Sequence, residues 1–209
     1  MKGYLIGVLG VGQIIGRRVL SGLKKLRGLK PGIENPEYLW HSPSADFDNF
    51  DFSKIGSNSL KYGWGIYFSG ALEHSLRHNR SLGHVYKLPM KEIQSLTFLN
   101  YSKSLREHHS EVVRAEALKF YGATVFNNEL FSKGGHTFYK DILESERLKV
   151  KDPNGCAARF LVNAGITGGF LDEFGERILV IYDTELWKKV ERVNLVKGKD
   201  GKLMVESQS

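Results

Sequence analysis

Two stretches decide the fold: Tyr38-Leu39-Trp40-His41-Ser42-Pro43 and, after a polar loop, Tyr62-Gly63-Trp64-Gly65-Ile66-Tyr67-Phe68-Ser69. The first reads as a short strand that ends at His41-Ser42-Pro43. In the second, Ile66-Tyr67-Phe68 is flanked by Gly63, Gly65 and Gly70, which suits a buried strand lying close to a ligand. Between them, residues 44–62 form a polar loop in which Phe47, Phe50 and Phe52 interleave with Asp46, Asp48 and Asp51.

Outward from this pair, Lys30-Pro31-Gly32-Ile33-Glu34-Asn35-Pro36 is turn-rich and marks a boundary. Residues 1–34 form an N-terminal segment, where Ile15, Val19, Leu20 and Leu23 alternate with basic residues as in a basic amphipathic helix. Its apolar run stops at Arg17 and Arg18, too short to span a bilayer, and no small-x-small cleavage site precedes the basic cluster. Gly10, Gly12 and Gly16 do not keep dinucleotide-fold spacing, and no acid follows at the end of a second strand, which excludes a Rossmann domain.

Toward the C-terminus, helices are expected over Ala71–His78, Ser110–Tyr121 (with a serine cap), Phe138–Leu148 and Cys156–Ala164. Strands are expected over Val85–Leu88 and Ile178–Tyr182, and a short one after Gly165-Ile166-Thr167-Gly168-Gly169. Asp152-Pro153-Asn154-Gly155 and Asp172 to Gly175 read as turns. Residues 35–196 make the main domain, and 197–209 a polar tail with room for one more strand. Short strands mixed irregularly with helices predict an α+β fold rather than repeating βαβ units.

With 30 Lys and Arg against 23 Asp and Glu, the 209-residue chain carries a formal charge of +7 and a pI near 9.4. That surplus favours anionic partners: nucleic acid, phosphorylated cofactors or acidic membranes. Cys156 is the only cysteine, which excludes a disulfide framework or a cysteine zinc site within one chain and suits a reducing, cytoplasmic setting. His108 and His109 lie in a polar stretch without partners at metal spacing, so they are read as surface residues and no metal is expected. The aspartates of the loop lack the glycine and terminal glutamate of a calcium loop.

The histidine strand, the phenylalanine-rich loop and the Gly65-Ile66-Tyr67-Phe68-Ser69 strand, in that order, resemble the ADP-ribosyltransferases of the His-Tyr-Glu class. This class includes poly-ADP-ribose polymerases and diphtheria-type toxins, and the chain looks most similar to such domains in phage and mobile-element polyvalent proteins. The likeness runs over about Tyr38 to Val193. It implies a split β-sheet core with flanking helices and NAD as co-substrate. It also implies roles: His41 on a ribose hydroxyl, the Ser42 main chain on the nicotinamide amide, and Tyr67 stacked on the nicotinamide ring. Ser75 would donate to the amide carbonyl, and His78 would stand at a second stacking position. A flat aromatic amide does need an aromatic face, a donor and an acceptor. Glycines beside Tyr67 would let the backbone approach the cofactor.

Cleaving the nicotinamide–ribose bond builds an oxocarbenium-like centre that a carboxylate stabilises. In the family a glutamate begins a late strand ending in Tyr-Asp or Phe-Asp. Arg177 to Asp183 matches that strand, yet strict register puts Ile178 at the glutamate position. Glu176, two residues earlier, shares its face and could enter by a slip or a bulge, with Asp172 and Glu173 as alternatives.

The resemblance therefore implies mono-ADP-ribosyl transfer from NAD to a macromolecule, nucleic acid (RNA included) or protein. By analogy it implies a bacterial toxin or anti-phage effector, with an antitoxin or inhibitor protein as a further partner. A catalytically silent module of the same fold that binds nucleic acid or a partner protein is the alternative.

Overall fold

The computed structural model describes residues 37–43, 55, 60–77, 83–173 and 176–206, and every element in it belongs to the unit Asn35–Ser209. The expectations for residues 1–34, for the aspartate–phenylalanine loop and for His78 lie outside the described residues. The order is β1 (Tyr38–His41), β2 (Ile66–Ser69), α1 (Leu72–Leu76), β3 (His84–Pro89), β4 (Phe98–Asn100), α2 (Glu111–Tyr121), α3 (Ala123–Phe126) and α4 (Gly135–Glu146). It continues with α5 (Pro153–Asn163), β5 (Gly168–Glu173), β6 (Glu176–Ile181), α6 (Thr184–Trp187), β7 (Glu191–Lys197) and β8 (Leu203–Val205). The strands form one sheet in the order β4-β5-β6-β2-β1-β3-β7-β8, antiparallel except for β4 beside β5, so the fold is α+β.

One junction in the sheet differs from the rest. β2 pairs with β6 from Ile66↔Ile181 to Ser69↔Ile178, and β5 with β6 from Gly168↔Ile181 to Glu173↔Glu176. On the other side β1 and β3 are in register from Tyr38↔Pro89 to His41↔Tyr86. β1 and β2 share only the pair Trp40↔Ser69. The sheet is thus two four-stranded halves, β4-β5-β6-β2 and β1-β3-β7-β8, that touch at a seam.

Alternation sends β2 residues to opposite faces. Ile66 and Phe68 join Leu39, Leu88, Leu179, Ile181 and Trp187 in one apolar cluster. On the other face Val180, Tyr62, Tyr101 and Tyr182 pack with Val113, Phe138, Tyr139, Ile142 and Leu161 of the helices. Burying one Leu or Phe side chain contributes roughly 1.5–3 kcal/mol, so these clusters carry most of the cohesion.

Helix starts follow their caps. The Ser110 hydroxyl accepts from the Val113 N–H (3.4 Å), as the sequence predicts. The Asp152-Pro153-Asn154-Gly155 segment, expected as a turn, is instead the start of α5. The Asp152 carboxylate accepts from the Gly155 N–H (2.9 Å), and Pro153 occupies the first helical turn, where its missing donor costs nothing. The helix closes with Ile166 N–H donating to the Leu161 carbonyl (2.8 Å) and Gly165 N–H to that of Val162 (2.9 Å).

Three expectations are revised. β4 and β7 were not anticipated, and β7 extends to Lys197, so the polar tail begins inside a strand and contributes β8. Residues 172–173 continue β5 rather than opening a turn. His108, expected at the surface, is fully buried. Its Nε2 faces the Asn100 N–H (2.9 Å) and its Nδ1 the Ser110 N–H (3.1 Å). Burial first, then the positive charge of His109 and Arg114, lowers its pKa to about 4. The ring is therefore neutral, with one lone pair to offer these two donors.

Candidate functional site

The seam brings His41 to Tyr67 through the backbone. Gly70 N–H donates to the Arg177 carbonyl (3.2 Å), so even-numbered amides of β2 point to β6 and the peptide groups of Tyr67 and Ser69 point to β1. Past Trp40↔Ser69 no ladder pair follows, and His41 Nδ1 lies 2.8 Å from the Tyr67 carbonyl oxygen. A carbonyl only accepts, so Nδ1 carries the hydrogen and Nε2 of the neutral ring is the acceptor. The imidazole lies against Phe68 and Tyr86, with ring centroids 5.9 and 6.1 Å away.

The Tyr67 side chain leaves the opposite face. Its hydroxyl donates to the Gly63 carbonyl (2.8 Å) and accepts from the Tyr62 N–H (3.0 Å). Burial pushes the phenol up to about 12, so it is protonated at neutral pH and cannot serve as a base. The ring is anchored by its own turn, which fixes its plane.

Gly63 and Gly65 have a structural explanation that the sequence reading did not contain. A Cβ on Gly63, at φ +106°, would lie 2.7 Å from the Tyr139 ring, and one on Gly65 would lie 2.4 Å from the Ile181 carbonyl. The protein's own packing therefore requires both glycines.

Ser42 and Ser75 also meet. Their hydroxyls are 2.8 Å apart and both residues are buried, which ties the end of β1 to α1. Whichever donates, the other hydroxyl keeps its own proton for a carbonyl arriving from outside.

Glu176 lies on the Tyr67 face. Ser69 stands opposite Ile178 and Tyr67 opposite Val180, and Glu176 follows Ile178 by the strand period of two. No bulge interrupts β2 against β6. The carboxylate instead reaches past the end of β2: Oε2 accepts from Ser69 Oγ (3.1 Å) and lies against His74 Nδ1. Ser69 Oγ is fixed in turn by the Ala71 N–H (3.1 Å). Along β6, Glu176 is about 13 Å from the level of Tyr67. Helix α1 links Glu176 to the end of β1, because His74 touches Glu176 while its neighbour Ser75 touches Ser42. Glu176 remains about a quarter exposed.

Asp172 faces the other way. It stands opposite Arg177, whose Nε and Nη2 donate to its two oxygens (2.9 and 3.2 Å). Geometry thus separates the acids: Glu176 shares a face with Tyr67, and Asp172 does not.

Sequence reasoning missed Ser69 and His74. A Ser, a His and a Glu together invite comparison with hydrolase triads, but both Ser69 and His74 contact the same carboxylate oxygen. That arrangement fixes a carboxylate; it does not relay a serine proton to a histidine. Among the described residues no group of three or more His, Cys, Asp or Glu could hold a metal ion, and no helix is long and apolar enough to cross a membrane. Two open surface cavities, of about 530 and 350 Å³, lie elsewhere: one beside Arg106 and Phe131, the other beside Lys61 and Tyr139.

Compared with protein-family models, curated proteins and solved structures, the chain matches none.

Proposed function

We propose that the protein is an NAD-dependent mono-ADP-ribosyltransferase whose site lies at the seam between β1 and β2. The observation that carries this reading is the placement of Glu176. Ser69 and His74 hold it on the sheet face that also presents Tyr67, beside the helix whose Ser75 meets Ser42. The single pair that joins β1 to β2 supports the reading, since the likeness to the His-Tyr-Glu class implies a split sheet.

In this reading Tyr67 offers a fixed aromatic face to the nicotinamide ring, and the Ser42–Ser75 pair donates one hydroxyl to its amide carbonyl. His41 Nε2 accepts from a ribose hydroxyl. Glu176 faces the anomeric carbon as the C1′–N bond breaks and its electron pair leaves with nicotinamide. The acceptor then bonds to C1′, and its proton passes by way of Glu176 to solvent. His74 and Ser69 hold Glu176 aimed, so the positive charge developing on the ribose meets a preorganised carboxylate. NAD is the co-substrate and a macromolecule the acceptor. The roles of toxin and anti-phage effector, and an inhibitor partner, extend the same reading.

The test incubates the protein with labelled NAD and cell RNA, DNA or lysate protein. Label on one of these together with released nicotinamide is expected. Neither label nor nicotinamide would overturn the enzyme and favour the silent module, to which Ile178 opposite Ser69 gives its support. Activity that survives both His41→Ala and Tyr67→Ala would sink the site assignment alone.

A further inference from the structure

The turn that anchors Tyr67 has a second side. Gly63, whose carbonyl accepts the Tyr67 hydroxyl, also lines the surface cavity of about 350 Å³ between this turn and α4. Tyr139 forms part of the same wall, with its hydroxyl accepting from the Trp64 N–H (2.8 Å) and donating to the Asn154 carbonyl (3.1 Å). The cavity therefore shares its back wall with the candidate active site.

Its lining is of two kinds. Leu60 and Leu143 supply apolar surface over the buried Tyr139, and Lys61, Lys140 and His136 supply cationic or hydrogen-bonding groups. Lys61 Nζ lies over the Tyr62 ring at 4.6 Å. His136 packs beside Tyr62 and Tyr101, and burial first, then the charge of Lys140, holds its pKa below the ordinary value. Both lysines line the same cavity. The acid in the lining, Glu144, is engaged by Arg147 Nη1 (3.3 Å), while Lys140 makes no ion pair among the described residues. The volume suits one nucleotide, whose base needs a flat apolar wall and whose phosphate needs close cations.

We infer that this cavity binds one nucleotide of a single-stranded nucleic acid, its base against Leu60 and Leu143 and its phosphate between Lys61 and Lys140. The inference rests on the transferase reading only for the bound strand's role as acceptor. A strand held here lies against the turn that carries Tyr67.

The test is direct binding, which needs no catalysis. Anisotropy of a labelled twelve-residue oligouridylate is measured against the full chain and its Lys61→Ala/Lys140→Ala variant at several salt concentrations. The expected result is at least tenfold weaker binding by the variant. Its log-log salt slope should also be shallower by about 1.4, since two phosphate contacts are lost at roughly 0.7 each. Lys188→Ala/Lys202→Ala, which removes the same charge outside the cavity, should bind like the wild type, and matched circular dichroism melts establish that all three are folded. Wild-type protein that binds no oligonucleotide, or equal loss in both double variants, overturns the proposal. So does loss of NAD affinity in the cavity variant with RNA affinity intact, which would assign the cations to the pyrophosphate of NAD. Failure of the transferase reading is seen separately, as no nicotinamide release by wild-type protein that still binds RNA.

Discussion

The two halves of the sheet are built to different standards. In β4-β5-β6-β2 every junction is in continuous register, and β6 is apolar on both faces through Leu179, Val180 and Ile181. In β1-β3-β7-β8 burial fades outward: only Val193 of β7 is buried, and Met204 of β8 is 53% exposed. The two join at Trp40↔Ser69, and the polar cluster collects on one side of that seam. Strands that stay paired have no backbone groups to offer, whereas strands that part must give theirs to side chains, as Tyr67 gives its carbonyl to His41. Polar side chains gather where the ladder stops.

That contrast can be broken most severely at Phe68, which is buried in the apolar cluster beneath β2. Phe68→Ala should lower the unfolding free energy by about 3–5 kcal/mol, read from urea denaturation. Met204→Ala in the outer half should stay within about 0.5 kcal/mol. Equal losses at both positions would erase the difference between the halves.

At the seam, Glu176→Gln should cut nicotinamide release by about 100-fold or more while the urea midpoint barely moves. A parallel loss of rate and stability would make Glu176 a structural residue.

The outer edge of the tight half can be probed by pH, because His108 sits against Asn100 of β4. Its folded pKa of about 4 lies below the ordinary 6.5, so as pH falls through that window the unfolded chain binds a proton that the folded one refuses. Stability should therefore drop by on the order of 2–3 kcal/mol between pH 7 and 4 from this group. Urea titrations of His108→Gln should lose that part of the slope, and an unchanged slope would refute the assignment.

A smaller loss than at Phe68 or His108 belongs to the cap of α5. Asp152→Ala should cost about 1 kcal/mol in the same assay, with nicotinamide release unaffected.

The sequence announces some of this and hides the rest for physical reasons. β1, β2 and β6 are dense apolar runs, and Ser110 is a cap with the right spacing, so these elements are legible. β7 is not, because a strand in the outer half buries little and its Glu191, Arg192 and Asn194 read as loop. His41, Ser42, Tyr67 and Ser75 could be singled out, and the structure brings them together in two hydrogen-bonded pairs. Ser69 and His74 could not, since their meeting with Glu176 depends on β6 outrunning β2 and on α1 folding back across that end. His108 misled because its neighbours are polar, while the tertiary structure places it beneath the edge of β4.

The order of strands in the sheet has a consequence for synthesis. β2 finds its partner β6 only after all the helices from α1 to α5 have left the ribosome. At 5–20 residues per second, Ile66 and Phe68 wait on the order of ten seconds with their intended cover not yet made. The nascent chain thus carries an unpaired apolar edge throughout that interval, and chaperones have that long to find it.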